Sequence, residues 1–415
     1  MTDFASLGLS GRLVSILEEA GLTEPTPIQT RAIPVALEGR DIMGLAQTGT
    51  GKTAAFGLPM AQMMLSQSQK AAPKSVQALI LAPTRELAKQ IRDNLMVFVG
   101  GAHLRVGLVV GGQSINAQAK RLERGVHILV ATPGRLLDLI DRGAVRLDKT
   151  RFLVLDEADQ MLDMGFIHDL RKIARHVPEE RQTLLFSATM PKLMEEIAGT
   201  FLTDPVKVAV TPPGKVADKI TQSVHFVVQT QKKGLLIELL DGHRDELALV
   251  FARTKHGAEK LKKTLEAAGF AAGSIHGNKS QGQRDRALAA FRAGELRVLV
   301  ATDVAARGID IPDVRHVYNF DLPNVPDNYV HRIGRTARAG AAGRAVAFCA
   351  PDEAGALRDI QKTMKMDIPV AEGTPWEGVA PAGRKPSRGK PAGAGAPKST
   401  NRRRRRPRRA KRAAA

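Results

Sequence analysis

The chain has 415 residues, 43% of them apolar, and a formal net charge of +20. That length and apolar share are enough for two or three globular domains. No apolar run reaches the roughly 18 residues a membrane-spanning helix needs, so a membrane protein is not expected. The single cysteine, Cys349, follows apolar Val346, Ala347 and Phe348. It rules out an intrachain disulfide and fits a reducing cytoplasm. The ten histidines show no metal-ligand spacing and no cysteine cluster accompanies them, which argues against a structural zinc site. Met1-Thr2-Asp3-Phe4 is not a basic segment leading into an apolar one, so no export signal is expected.

The charge is uneven. Residues 377–415 hold fourteen lysines and arginines against the single Glu377, which is +13 of the total. A basic body with a strongly basic tail points to a polyanion, because neutralised phosphates release counterions. A merely solubilising tail is the alternative.

From the N-terminus, residues 1–40 read as short helical segments around the turn Glu24-Pro25-Thr26-Pro27. Ile42-Met43-Gly44-Leu45 then reads as a strand. It leads into Ala46-Gln47-Thr48-Gly49-Thr50-Gly51-Lys52-Thr53 and a run of helix formers. A glycine-rich turn between strand and helix leaves backbone N–H groups free for phosphate oxygens, and the helix dipole adds to their pull. Lys52 is placed to reach β- and γ-phosphates and the Thr53 hydroxyl to ligate Mg²⁺. Further strands are expected at 77–82, 105–110, 127–131, 152–155, 183–187 and 206–210, alternating with amphipathic helices. Such alternation implies right-handed βαβ crossovers and a parallel sheet. After the strand at 152–155 comes Asp156-Glu157-Ala158-Asp159. A carboxylate at the carboxyl end of a parallel strand beside a phosphate loop suits Mg²⁺, partly through water, and that role falls to Asp156. Glu157 is then placed to orient or deprotonate the attacking water.

Thr211-Pro212-Pro213-Gly214-Lys215 breaks the pattern as a linker does. A second alternating series follows, with strands expected at 220–228, 247–251, 271–275, 298–302, 316–319 and 343–349. Its helices are expected to include 232–240, 257–268 and 281–293, and it carries no phosphate loop of its own. Beyond Asp367 the periodicity stops, and residues 402–406 are an unbroken arginine run. Such composition does not bury enough apolar surface to offset chain ordering. The expected division is 1–208, a linker at 209–216, a second domain at 217–366, and a disordered tail at 367–415.

These motifs, in this order, resemble the DEAD-box RNA helicases, and the resemblance covers Phe4 to about Ala350. Gly21-Leu22-Thr23-Glu24-Pro25-Thr26-Pro27-Ile28-Gln29 resembles the family's Q motif, with Leu22 where phenylalanine is usual. By that resemblance Thr26 and Gln29 address the adenine and Phe4 stacks on it, so the nucleotide is ATP. Ala46 is the family's own spelling of the loop's first position. Pro83-Thr84-Arg85-Glu86-Leu87, Gly111-Gly112 and Thr132-Pro133-Gly134-Arg135 resemble its first-domain RNA contacts. Hydroxyls, arginines and exposed backbone N–H groups suit phosphates, which position without specifying sequence. Ser187-Ala188-Thr189 resembles the motif that couples ATP state to unwinding, together with Asp159. Val250-Phe251-Ala252-Arg253-Thr254 and Gln281-Gly282-Gln283-Arg284 resemble RNA-side motifs of the second domain. In the stretch from Ala301 to Asp310, the resemblance places Thr302 near RNA and Asp310 near the ribose. His331-Arg332-Ile333-Gly334-Arg335-Thr336-Ala337-Arg338 resembles the arginine-finger motif. Arg335 and Arg338 share one face if helical, and His331 is expected at the contact between domains.

The expected fold is α/β, two tandem RecA-like domains with a basic tail, and the expected activity is RNA-stimulated ATP hydrolysis coupled to local unwinding. A tail-driven RNA annealer and a DNA-acting motor are the competing readings. Ribosomal or RNA-decay assemblies are expected settings. The compact core with a short basic extension resembles the bacterial RhlE-type subgroup.

Overall fold

The computed structural model describes residues 3–46, 49–66, 70–190, 192–210, 220–306, 311, 313–337 and 342–376. The expected loop residues Gln47 and Thr48, the ribose residue Asp310 and the second finger Arg338 lie outside these. Two helices open the chain, α1 (Gly11–Glu19) and α2 (Pro27–Leu37). The first domain then alternates β1 (Ile42–Leu45), α3 (Lys52–Ser66), β2 (Val76–Leu81), α4 (Arg85–Phe98), β3 (Val106–Val109), α5 (Ile115–Leu122), β4 (Val126–Ala131) and α6 (Pro133–Asp141). It continues through β5 (Phe152–Leu155), α7 (Ala158–Asp163), α8 (Ile167–Ala174), β6 (Gln182–Ser187), α9 (Lys192–Phe201) and β7 (Val206–Ala209). All seven strands are parallel, in the order β3-β4-β2-β5-β6-β1-β7.

The short, wholly apolar strands explain this architecture. Every residue of β5 is buried, as befits a parallel sheet covered on both faces. Successive residues of β2 feed opposite layers, Ala78 and Ile80 one core and Leu79 and Leu81 the other. Because β5, β6 and β1 are neighbours, their carboxyl ends bring Asp156, Ser187 and Ala46 to one edge. Ligand sites of open α/β sheets form at that edge.

The second domain repeats the plan with β8 (Ile220–Phe226), α10 (Lys232–Asp241), β9 (Leu247–Phe251), α11 (Lys255–Ala267), β10 (Ala272–Ile275), α12 (Gln281–Arg292), β11 (Val298–Ala301) and α13 (Asp303–Ala306). There follow β12 (Val314–Asn319), α14 (Pro326–Ile333), β13 (Gly343–Cys349), a 3₁₀ turn (Pro351–Glu353), α15 (Ala354–Met364) and β14 (Val370–Glu372). The order β10-β11-β9-β12-β13-β8-β14 matches the first sheet strand for strand. Two expectations need correcting. The second domain does not stop at Met366: β14 pairs with β8, and Trp376 packs edge-on against Phe226 at 6.4 Å while donating Nε1–H to the Cys349 carbonyl at 3.0 Å. The strand is three exposed residues long, so it carries no apolar signal of its own. The helical condition set for Arg335 is also not met, because α14 ends at Ile333 with Gly334 as its cap; Arg338 lies outside the described residues.

Candidate functional site

A cavity of about 410 Å³ lies at the carboxyl edge of the first sheet, with Gln29, Gly51, Lys52, Thr53, Asp156 and Glu157 in its wall. The loop entering it is built on glycine. Gly49 and Gly51 have φ of 84° and 87°, a region costly for other residues. A Cβ on Gly51 would also stand 2.4 Å from Gln29 Nε2. Gln29 stitches this loop to α2. Its Oε1 accepts from Thr26 N at 2.9 Å, its Nε2 donates to the Gly51 carbonyl at 3.0 Å, and Thr26 Oγ1 donates to Thr50 O at 2.8 Å. Both ends of the amide are held, and each keeps capacity for one more partner. Phe4 is only 4% exposed and belongs to the hydrophobic core; it is not among the residues lining the cavity.

Lys52 opens α3 almost fully buried. Its Nζ donates to the Ala46 carbonyl at 3.2 Å and lies 3.5 Å from Asp156 Oδ1. Burial pushes the Asp156 carboxyl up to about 6 against the opposing pull of Lys52, and the Glu157 charge adds to the rise. Desolvation thus outweighs the pull of the paired lysine at this carboxylate. With the Thr53 hydroxyl in the same wall, the donors are the hard oxygens Mg²⁺ prefers. Glu157 sits at φ 52°, ψ 49°, where β5 turns into α7, and is 2% exposed. Asp159 ties this turn to the next strand's end: its Oδ2 accepts from Ala188 N at 3.0 Å, Thr189 N at 2.9 Å and Thr189 Oγ1 at 3.1 Å. Ser187 Oγ donates to the Thr189 carbonyl at 2.6 Å. His331 of the second domain brings Nε2 to 3.9 Å from the same Asp159 oxygen.

A second groove, about 420 Å³, runs between the domains. Pro83, Thr84, Arg85, Gly112, Thr132, Gly134 and Arg135 line it from one side and Arg284 from the other. Thr84 and Thr132 are N-caps of α4 and α6, so helix starts face the groove. Gly112 has φ 75°, and a Cβ there would meet Arg85 Nη1 at 2.0 Å. Burial lowers the Arg85 pKa, partly offset by Glu86. Arg135 Nη1 donates to the carbonyls of Val110 and Gln113 at 3.1 and 2.9 Å. Thr302 is not among the lining residues; Val304 takes that place. Glu86 joins the two sides: its Oε1 accepts from Gln281 Nε2 at 2.9 Å and faces Arg284 Nη2 at 3.0 Å, while Arg85 Nη1 donates to Gln281 Oε1 at 3.1 Å.

The family model for DEAD/DEAH box helicases matches residues 26–197, and that for the helicase conserved C-terminal domain matches residues 231–340. The chain is 47% identical over 365 residues to the DEAD-box ATP-dependent RNA helicase CshA of Geobacillus kaustophilus, covering 88% of this chain and 77% of that one. The chain belongs to the DEAD-box ATP-dependent RNA helicases. It is an ATP hydrolase and helicase of the CshA type. The RhlE-type affiliation finds no support in that relative. S. cerevisiae Dbp5 bound to RNA and ADP BeF3 superposes with a TM-score of 0.81 at 33% identity, covering 90% of this chain and 96% of that one. A Dbp5 variant bound to ADP and partner proteins gives only 0.61 at 31% identity, over 90% and 97%. The domain arrangement of this helicase thus matches the RNA-bound form better.

In this DEAD-box helicase the second domain presents Arg335 beyond the end of α14. It is 3% exposed, its Nε donates to the His331 carbonyl at 3.2 Å, and it lines a small pocket with Phe251, Asp303 and His331. Two elements escape sequence reading. Glu86 is one: it sits in the motif Pro83-Thr84-Arg85-Glu86-Leu87, expected at the RNA, and nothing local marks its partners Gln281 and Arg284 across the domains. Arg332 is the other, 2% exposed and forked onto both oxygens of Asp303 at 2.5 and 2.8 Å. Away from the cleft, His243, Glu246 and His316 converge, with ligating atoms within 4.8 Å of one another. The two imidazoles stack at 3.5 Å and 5°, so their lone pairs run side by side instead of meeting at one point.

Proposed function

We propose that this helicase hydrolyses ATP only when RNA holds its two domains together, and that strand separation comes from that closure. The supporting observation is the division of the site. Lys52, Thr53, Asp156 and Glu157 stand in the first domain, Arg335 in the second, and Glu86 is bonded across the gap to Gln281 and Arg284. RNA lying along the groove contacts both domains and so favours the docked state.

Within this reading Thr26 and Gln29 hold the adenine edge, while Phe4 packs in the core beneath the site. Asp310 takes the ribose. The loop from Ala46 through Gln47, Thr48, Gly49, Thr50 and Gly51 cradles the phosphates, with Lys52 on the β- and γ-phosphates. Thr53 and Asp156 hold Mg²⁺, which neutralises charge on the phosphates when bound. Glu157 orients the attacking water and accepts its proton. Arg335 and Arg338 stabilise charge that grows in the transition state. Asp159, Ser187, Thr189 and His331 relay nucleotide state between the domains. Pro83, Thr84, Arg85, Gly112, Thr132, Gly134, Arg135, Gln281 and Arg284 hold RNA phosphates, and 2′-hydroxyl contacts set RNA apart from DNA. A backbone bent by this closed surface fits a single strand and not a duplex, so pairing is lost locally. The basic residues of 377–415 add affinity for RNA. No helix among the described residues is long and apolar enough to cross a membrane; a cytoplasmic ribosomal or RNA-decay assembly is the setting this reading expects.

Measuring ATP turnover with and without RNA tests it. Glu157→Gln and Lys52→Ala are expected to abolish RNA-stimulated turnover, and Glu157→Gln to retain ATP-dependent RNA binding. Unchanged turnover in either variant would overturn the assignment. Equal stimulation by RNA and by DNA of the same length would favour the DNA-motor reading.

A further inference from the structure

The second domain carries a chain of charges outside the nucleotide cavity, buried at Lys232, Glu353 and Arg332 and reaching the surface at Arg253. Lys232, the first residue of α10, is fully buried and donates from Nζ to Glu353 Oε2 at 2.5 Å and to the Phe320 carbonyl at 2.8 Å. Glu353 is 2% exposed and holds four donors. Besides Lys232, these are Ala350 N at 3.1 Å on Oε2, and Leu322 N at 3.0 Å and Arg253 Nη2 at 2.5 Å on Oε1. One carboxylate thus gathers the segments that leave β8, β9, β12 and β13. The chain continues. Arg253 N donates to Asp321 Oδ2 at 2.8 Å, the Asp321 carbonyl accepts from Arg332 Nη1 at 2.6 Å, and Arg332 forks onto Asp303. Arg332 also lies 4.9 Å over the Phe251 ring. On one side of Arg332 in the sequence is His331, which reaches Asp159; three residues further is Arg335.

We propose that Glu353 is a positioning residue for hydrolysis: through Arg253, Asp321 and Arg332 it fixes the end of α14 and so the placement of His331 and Arg335 against the first domain. Glu353 lies past residue 340, where the C-terminal family model stops matching. The bond to Ala350 is a local turn contact that glutamine would keep. The tie to Lys232 needs charge, because a buried cation keeps its place only with a carboxylate partner; the tie to Arg253, at the surface, is a charge-assisted bond that a neutral amide weakens. With Glu353 neutral, the remaining anion within reach of Lys232 is Asp321, at 3.8 Å. Asp321 is the residue whose backbone carbonyl holds Arg332, so the disturbance runs toward the finger and not toward the ATP-binding loop. This inference rests on the reading of Arg335 as a transition-state residue.

The test compares Glu353→Gln, Lys232→Met/Glu353→Gln and Arg335→Ala in the full chain. RNA-saturated kcat, nucleotide affinity and Tm are read for each. Glu353→Gln is expected to lower kcat about tenfold, since a small misplacement of a reacting group is enough for that, with nucleotide affinity within about twofold. The double variant removes the unpaired lysine charge, so Tm returns toward wild type while kcat stays low, because Arg253 still lacks its carboxylate. A purely structural role predicts that kcat recovers with Tm, and that result overturns the proposal. Wild-type kcat in Glu353→Gln with reduced kcat in Arg335→Ala overturns it while leaving the finger assignment standing. Wild-type kcat in Arg335→Ala overturns the finger assignment and the positioning role with it.

Discussion

The two sheets follow the same strand order, yet their carboxyl edges treat charge in opposite ways. In the first domain the buried charges are left incomplete. Asp156 is pushed up to about 6 by burial even with Lys52 at 3.5 Å, the kind of perturbed carboxyl that functional sites collect. In the second domain the buried charges, Arg332, Lys232 and Glu353, are already matched. Arg332 is forked onto Asp303, and Lys232 and Arg253 share Glu353. One edge is arranged for binding; the other is arranged to hold an arginine still. On the proposed reading, two domains of one fold form two halves of one site, and neither half is sufficient.

The bridge between the halves offers the largest test of that contrast. Glu86→Gln leaves the ATP cavity intact but removes the charge that Arg284 faces. Its RNA-stimulated turnover is expected to fall about tenfold, in line with loss of a buried charge partner, with basal nucleotide binding unchanged. Titrating RNA into an ATPase assay reads this directly, and full stimulation would mean that the domains dock without Glu86.

Stability against pH probes the incomplete charge next. The carboxyl of Asp156 is raised from 3.8 to about 6 in the fold. The native state therefore holds this proton more tightly than the unfolded chain. Its contribution is fully favourable below about 4 and is lost as pH rises through about 6. In the ligand-free protein Asp156→Asn is thus expected to be more stable than wild type at pH 8, by at most about 3 kcal/mol from a shift of this size. The gain should shrink toward zero by pH 4. Thermal melts at both pH values check this; a destabilised Asp156→Asn at pH 8 would show that Lys52 compensates the carboxylate fully.

The smallest effect concerns the second sheet's last strand. Truncation after Trp376 is expected to leave Tm and RNA-independent turnover unchanged while flattening the salt dependence of RNA binding. Truncation after Met366 also removes β14 and Trp376, and should lower Tm by roughly 2–4 °C. Equal Tm values for the two truncations would return residues 367–376 to the tail.

Much of this was legible beforehand because the motifs are local. A glycine loop after an apolar strand and an acidic pair after another are read from a few residues, and parallel strand order then brings them together. What escaped depends on distance or on weak pattern. Glu86 meets partners nearly 200 residues away. Val370–Glu372 is short and exposed, and is recognisable as a strand only because the first sheet has a seventh strand in the same place. The end of α14 was not legible because spacing alone does not reveal that Gly334 stops the helix before Arg335. Glu353, at the start of a helix, looks like any solvated acid until burial shows four donors around it.

The most direct test of the divided site is single-turnover ATP hydrolysis by Arg335→Ala at saturating RNA, with nucleotide affinity measured in parallel. Affinity within about twofold of wild type and hydrolysis slower by at least about 10³-fold, the scale of an arginine finger, is the expected result. Hydrolysis at the wild-type rate would show that the first domain completes the chemistry alone.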